Sequence, residues 1–146
     1  MSTQQAPMAA YAATQFEADT PEGLIVLRIG ERSETLAQLY RVTGTQNAVY
    51  VTAWNPGSVP QTVEKNWSAH AELLRSLVAA GYRHYEGFGR DPHGQWPAER
   101  SVLVLGMPAD DTCTLGRQHG QATIVVVAGD AVPKLRWLSE WSSAHA

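Results

Sequence analysis

Short runs of apolar and β-branched residues constrain the fold of this chain more than any other feature. Residues 122–127, Ala-Thr-Ile-Val-Val-Val, form the most hydrophobic run, and residues 24–29 and 48–54 have a similar character. Runs of this length with little polar alternation are typical of strands that are buried on both faces of a sheet. The run at residues 122–127 therefore predicts a central strand.

Two segments between these runs predict helices. Residues 33–42 and residues 62–80 have apolar residues three and four positions apart, as one face of a helix requires. The longer segment begins after a capping Thr62 and ends before Gly81. Its apolar stripe, which we expect to face the core, comprises Val63, Trp67, Ala71, Leu74 and Val78.

The other segments complete an α/β pattern. Residues 83–88 and 101–105 predict two strands joined by an extended hairpin loop, and shorter helices are predicted at residues 11–18, at residues 112–119 and after Asp130. Because a helix separates the first two strands, we expect them to form a parallel pair with a right-handed crossover. The prediction is an α/β fold in a single domain: a mixed five-stranded sheet with a βαβ start and a later β-hairpin, flanked by about four helices.

The length of the chain bounds its domain organisation. A chain of 146 residues is close to the usual size of one domain, and 44% hydrophobic with 17% charged residues is ordinary for a globular protein. We expect residues 11–141 to form a single globular domain. Residues 1–10 are expected to be a poorly ordered N-terminus, and residues 142–146 a frayed C-terminus.

Charge and hydropathy argue against several classes of partner. The net charge is −3 and the 11 Lys and Arg residues are scattered singly, which disfavours nucleic acid. No apolar run approaches the roughly 20 residues that cross a bilayer, and no secretory signal is visible. Cys113 is the only cysteine, which excludes an intrachain disulfide. We therefore expect a cytoplasmic protein with no nucleic-acid or membrane partner, and leave a protein partner open.

Standard cofactor and metal motifs are missing from the sequence. His84 and Glu86 are two positions apart on a predicted strand and His93 follows in the loop, but this spacing matches no zinc pattern. The glycines at residues 87–89 do not lead into a helix, as a dinucleotide-binding loop would. The chain has neither a phosphate-binding loop nor a nucleophile elbow. We expect no metal and no cofactor.

The Asn-Pro pair that ends the second strand is the first candidate for a site. Ligands of open α/β sheets bind outside the carboxyl ends of strands, where Asn55 lies. Because Asn55 precedes Pro56, we expect its backbone to be extended. Asn66 lies in the first turns of the next helix, whose N-terminal amides suit an anion or a polar ligand, and His70 follows one turn later. The alternatives are an Asx turn at Asn55 and a structural, buried His70.

Later segments add three more candidate residues. Trp96 in the hairpin loop can form an apolar wall. Glu99, near the start of the fourth strand, is a lone carboxylate that can alternatively pair with an arginine at the surface. Gln121 follows Gly120 at the start of the predicted central strand, where helix capping is the alternative.

The ordered motifs VTAWNPGS, TVEKN, GQWPAERSVLVLG and GRQHGQATIV resemble the bacterial family known as domain of unknown function 3293. The resemblance covers roughly residues 11–133, and it rests on the order and spacing of the motifs together. It implies no known reaction, cofactor or partner. The positions most similar to the family's signature are Thr52, Ala53, Asn55, Pro56, Glu64, Asn66, Trp96, Glu99, Gly106 and Gln121.

Three functional hypotheses follow. The favoured one is a binding or regulatory module for a polar or anionic small molecule, with these ligand-binding residues: Asn55, Asn66, Trp96 and Gln121. The second is an enzyme in which Glu99 or His70 acts as general acid or base. Binding is favoured because no partner that would poise such a titrating group is visible. The third is a protein-interaction domain that uses exposed tryptophans.

Overall fold

The computed structural model describes residues 12–138; the predicted terminal segments, residues 1–10 and 142–146, lie outside this range. The strands are β1 (Gln15–Thr20), β2 (Gly23–Leu27), β3 (Ala48–Thr52), β4 (His84–Arg90), β5 (Glu99–Leu105), β6 (Thr123–Val127) and β7 (Pro133–Trp137). The helices are α1 (Glu34–Thr43), α2 (Val63–Ala80) and α3 (Ala109–Gln118), and a single 3₁₀ turn spans Pro56–Ser58. Within residues 12–138, no helix combines the length and the apolar composition that crossing a membrane requires.

All seven strands form one sheet, in the order β2-β1-β4-β5-β3-β6-β7, and every neighbouring pair is antiparallel. The predicted α/β fold, with a mixed five-stranded sheet, a parallel βαβ start and about four helices, is therefore wrong. Three complete helices lie within the described residues. The antiparallel pairing of β4 with β5 agrees with the predicted hairpin.

The predicted parallel pair fails because each helix joins strands that are not neighbours. Helix α1 joins β2 to β3, which run in the same direction but have β1, β4 and β5 between them. Helix α2 joins β3 to β4 across β5, and α3 joins β5 to β6 across β3. Each inserted strand replaces a parallel contact with antiparallel ones. The order of helices and strands along the chain is the same whether the joined strands pair directly or have another strand between them. This order therefore cannot distinguish a parallel sheet from an antiparallel one.

Two of the predicted helices are strands, one of them only in part, since residues 12–13 are helical. Residues 15–18 belong to β1, which pairs with β2, and the helix predicted after Asp130 is β7, which pairs with β6. In β7 the exposed Lys134 and Arg136 alternate with less exposed apolar residues, which is the period of a strand. Pro133 is the first residue of this edge strand, a position that tolerates a missing N–H.

The core lies on both faces of the sheet. Ala48 and Tyr50 of β3 pack in the cluster that contains α1, and Val49 and Val51 pack in the cluster that contains α2 and α3. Strand β6 is likewise covered on both faces, although it is one place from the sheet edge rather than central. Two-sided burial, and not a central position, explains its continuous apolar sequence.

Helix α2 packs through a different face from the predicted one. Val63, Trp67 and Val78 of the predicted stripe are 60%, 49% and 68% exposed. The residues buried against the sheet are Asn66, His70, Leu73 and Leu77. The helix is therefore rotated by about one position, and two polar candidates of the site lie between helix and sheet.

Candidate functional site

A pocket of about 270 Å³ opens at the end of the sheet where β3 finishes and where β5 and β6 begin. It brings together four of the predicted site residues: Asn55, Trp96, Glu99 and Gln121. Asn66 and His70 do not line it. The strands contribute side chains to its interior, including Phe16, Tyr50, Thr52, Ser101, Thr123 and Val125.

Asn55 leaves β3 in the left-handed backbone conformation, with φ 45° and ψ 65°. The predicted extended conformation before Pro56 is therefore wrong. Asparagine tolerates this region better than most residues, although a following proline disfavours it. Gly57 and Ser58 also have positive φ, at 67° and 61°. The 55–58 turn at the pocket is thus held in a sparsely populated conformation, of a kind that clusters at ligand sites.

Asn66 holds the 55–58 turn through reciprocal hydrogen bonds. The backbone N of Asn55 donates to Asn66 Oδ1 at 2.8 Å, and Asn66 Nδ2 donates to Asn55 Oδ1 at 2.9 Å. Gln61 donates from its backbone N to Asn55 Oδ1 at 3.2 Å and from its Nε2 to Asn66 Oδ1 at 2.8 Å. Because Asn66 is only 2% exposed, it positions Asn55 from beneath the pocket.

Glu99 places a half-buried carboxyl on the pocket wall. Its Oε2 accepts one long hydrogen bond, 3.5 Å from Asn55 Nδ2. Burial raises the pKa of Glu99, and the Asn55 bond lowers it by a smaller amount. The surface ion pair considered for Glu99 does not form, since the neighbouring Arg100 donates instead to Glu86, at 3.1 and 3.2 Å.

Hydroxyl groups inside the pocket, among them those of Tyr50 and Ser101, were not identified as site groups from the sequence, and Thr52 was named only for its similarity to the family's signature. Thr52 and Ser101 are direct partners across β3 and β5, and Tyr50 lies two positions before Thr52. Burial raises the pKa of Tyr50 above its usual range, and its hydroxyl donates to a β1 carbonyl at 2.6 Å. A signal was available: Tyr50 and Thr52 are two apart on a predicted strand, and Glu99 lies two positions before Ser101, the first residue of another, so each pair is expected to share a face.

Two tryptophans are among the residues that line the pocket. Trp54 follows β3 and meets Trp67 of α2 edge-on, with ring centroids 5.3 Å apart. Trp96 lies in the β4–β5 loop, which is ordered by Asp91. The Asp91 carboxylate accepts from the backbone N of His93 at 2.9 Å and of Gln95 at 2.6 Å.

Gln121 and its neighbours connect the pocket to the turn that follows α3. Gln121 Nε2 donates to the backbone carbonyls of Trp54 at 3.3 Å and His119 at 3.1 Å. The backbone N of Gly57 donates to the carbonyl of Gly120 at 2.7 Å. A Cβ at Gly120 would lie 2.8 Å from Pro56 Cβ. The two turns are therefore in direct contact.

His70 lies on the opposite face of the sheet from Glu99. The residue is 2% exposed, and its Nε2 is 2.8 Å from Glu86 Oε1. Burial alone would raise the pKa of Glu86, but hydrogen bonds from His70 and Arg100 and the charge of Arg100 lower it. His70 Nδ1 is buried and has no hydrogen-bond partner within residues 12–138. This arrangement matches the alternative of a structural, buried histidine.

The residues considered for a metal site do not assemble one. His84 Nδ1 is 2.8 Å from the carbonyl of Tyr82, while Glu86 bonds to His70 and Arg100. In the part of the chain that the structure describes, no group of three or more His, Cys, Asp or Glu side chains could hold a metal ion.

Comparison with known proteins identifies a family but no reaction. No curated protein and no solved structure matches the chain. One family's sequence model matches residues 51–124, just over half of the 146 residues, and the matched segment contains every candidate from Asn55 to Gln121. The chain therefore belongs to the family described as protein of unknown function (DUF3293).

Proposed function

We propose that this domain binds a small polar organic molecule in the pocket at the end of β3. One observation supports the proposal above all: side chains from four separate segments line the same cavity, and these are Asn55, Trp96, Glu99 and Gln121. A concave site with apolar walls and a few convergent polar groups is the usual form of a small-molecule site. The strained 55–58 turn and its support by Asn66 agree with a preorganised polar group.

The charge of the lining narrows the earlier hypothesis of a polar or anionic ligand. Glu99 is the one acidic lining residue, and Lys, Arg and His do not occur among the lining residues in the described part of the chain. An anion would meet a carboxyl without a compensating positive charge. We therefore keep the polar ligand and drop the anionic one.

General acid or base catalysis by Glu99 is a second candidate function. The observation in its favour is a carboxyl with a burial-raised pKa that opens on a pocket, which is a common property of catalytic acids and bases. Binding without chemistry ranks higher because the pocket lining contains no second acidic residue and no histidine or cysteine among residues 12–138. The protein-interaction hypothesis is supported by the exposed Trp67, but it ranks lower because Trp54 and Trp96 line the pocket.

A thermal-shift screen of neutral, cationic and anionic metabolites tests the binding proposal. Compounds that stabilise the wild-type chain are titrated against Trp96→Ala, which removes an apolar wall, and against Gln95→Ala as a control on the exposed neighbour in the same loop. Loss of such a wall should weaken binding about tenfold or more, whereas the control should bind normally. A ligand that binds the wild type, Trp96→Ala and Gln95→Ala with equal affinity would indicate a binding site outside this pocket. For the enzyme alternative, Glu99→Gln should abolish turnover of a bound compound.

A further inference from the structure

We propose that the ligand is an organic cation: an ammonium or guanidinium group on a small apolar body, with the charge at Glu99 and the body against Trp54 and Trp96. This inference rests on the proposed function and specifies the ligand class of the same pocket. It is carried by the charge of the lining, by the hydrogen-bonding capacity of Glu99 and by the aromatic walls.

Glu99 has no positively charged partner among residues 12–138. The nearest arginines in sequence point elsewhere: Arg100 bonds to Glu86, and Arg90 Nε donates to Glu17 at 2.8 Å. The lining described above supplies no other positive side chain. A cation would thus complete an ion pair, and an isolated carboxylate in a partly desolvated site is otherwise costly.

The carboxyl of Glu99 also has unused hydrogen-bonding capacity. A carboxylate offers about four acceptor sites. In the described chain this one accepts only the 3.5 Å bond from Asn55, which is at the long limit for a hydrogen bond. An ammonium or guanidinium supplies several N–H donors and makes charge-assisted bonds, which are the stronger kind.

Trp54 and Trp96 suit the same ligand class. Indole faces attract cations as well as apolar groups. The volume of about 270 Å³ is slightly below the range of about 300–1,000 Å³ that drug-sized ligands occupy. The pocket should therefore accept a body of about one ring rather than a large cofactor.

Proton release is a second consequence. Burial keeps the pKa of Glu99 raised in the unliganded protein, and a bound cation favours the ionised carboxylate. At a pH below the raised pKa, binding of a cation should release a proton. Binding of a neutral molecule should not.

Three probes with one ring and different charge test this inference on the full chain: benzylamine, benzyl alcohol and benzoate. By calorimetry or NMR titration near pH 7, benzylamine should bind at least about tenfold more tightly than the other two. Glu99→Gln should remove this preference, and Glu22→Gln, a change in the exposed β1–β2 turn, should retain it. Near pH 5, calorimetry in buffers of different ionisation enthalpy should detect proton release from the wild type and none from Glu99→Gln.

Three outcomes would overturn the inference. They are equal or tighter binding of the alcohol or the acid, no detectable binding of benzylamine, and an unchanged preference in Glu99→Gln. If benzyl alcohol or benzoate binds as tightly as benzylamine or more tightly, and Trp96→Ala loses that binding, the cation preference is wrong but the pocket is still the binding site. Benzylamine binding that Trp96→Ala and Glu99→Gln both leave unchanged would contradict the pocket as well.

Discussion

Asn55 leaves β3 with a backbone conformation that few residues adopt before a proline. The conformation is held by side chains, since Asn66 both accepts from the Asn55 backbone N and donates to its side-chain oxygen. The sequence places an Asn-Pro pair at the end of a strand, but the local rule for residues before proline favours an extended backbone. The left-handed conformation of Asn55 depends instead on hydrogen bonds to Asn66, eleven positions away along the chain. It is therefore an effect of tertiary structure.

Substitution of Asn55 separates its backbone role from its side-chain role. Asn55→Gly and Asn55→Ala both remove the bonds that Asn55 Oδ1 accepts from Asn66 and Gln61, and both keep the backbone N that donates to Asn66. Glycine, however, adopts the left-handed region without strain. We expect Asn55→Ala to lose about 1 kcal/mol more free energy of unfolding than Asn55→Gly, measured by urea denaturation. Equal losses would show that the left-handed conformation is not retained or not strained.

Glu99 should reduce the stability of the unliganded protein at neutral pH. Its folded-state pKa is raised by burial, so the carboxyl ionises at lower pH in the unfolded chain, and stability falls as the pH rises through the folded pKa. Glu99→Gln does not ionise. Its melting temperature relative to the wild type should therefore increase between pH 4 and pH 7, by roughly a few degrees. A difference that decreases over this range would contradict a raised pKa.

His70 should matter for stability and not for binding. His70→Ala removes a buried ring and its bond to Glu86, which should reduce the free energy of unfolding by about 2–4 kcal/mol. Under conditions where the variant is folded, its affinity for benzylamine should match that of the wild type. A selective loss of affinity in folded His70→Ala would mean that His70 acts on the pocket.

At the scale of elements, two turns pack together beside the pocket: the 55–58 turn and the turn that joins α3 to β6. The contact is made by Pro56 and Gly120 and by the bond from Gly57 N to the Gly120 carbonyl. Neither turn is stabilised by apolar burial of its own, since residues 55–58 and residues 119–122 include no buried residue. We infer that their mutual packing maintains the shape of the pocket.

Gly120→Ala tests this contact against a matched glycine. Gly120 and Gly44 have φ values of 68° and 70°, but a Cβ at Gly44 meets nothing within 4 Å, whereas at Gly120 it meets Pro56 at 2.8 Å. Both alanines carry the backbone strain of about 1–2 kcal/mol. Gly120→Ala should lose about 1 kcal/mol more, by urea denaturation, and should also weaken benzylamine binding. Equal effects at both glycines would argue against coupling between the turns.

Helix α2 shows how far pattern alone predicts an element. Its bounds follow from Thr62 and Gly81, whose cap conformations are as expected. Its buried face does not follow, because the apolar stripe that contains Val63 and Trp67 is largely exposed and the buried face includes Asn66 and His70. Hydrogen bonds to the 55–58 turn and to Glu86 offset the burial of these polar groups, and no hydrophobic pattern records such bonds.

At the scale of the whole molecule, antiparallel pairing is what assembles the candidate site. Asn55 follows the end of β3, while Glu99 and Gln121 lie at or before the starts of β5 and β6. Because β5 and β6 run antiparallel to β3, the starts of β5 and β6 lie beside the end of β3, at the same end of the sheet. If the three strands were parallel, the starts of β5 and β6 would lie at the opposite end of the sheet from the end of β3. Four of the six predicted site residues, Asn55, Trp96, Glu99 and Gln121, therefore line one pocket although the predicted sheet was wrong, whereas Asn66 and His70 do not line it.

The strand order was beyond what sequence spacing can predict. Buried runs and helix caps identified β3, α2, β4 and β5, but insertion of β5 between β3 and β4 depends on contacts between distant segments. The edge strand β7 has a signal in the sequence, because Lys134 and Arg136 alternate with apolar residues. The capping residue Asp130 favours a helix at this position, whereas the period of two indicates a strand.

The most direct test of the account is an amide and indole NMR titration of the labelled chain with benzylamine. If the ligand binds at the end of β3, signals from the side-chain N–H groups of Trp54, Trp96, Asn55 and Gln121 should shift together with a single dissociation constant. Asn47 is the control, because its side-chain amide donates to the Met107 carbonyl and does not line the pocket. The NMR signal of this amide should not shift. Shifts at Asn47 with no change in the four pocket signals would contradict binding at the end of β3.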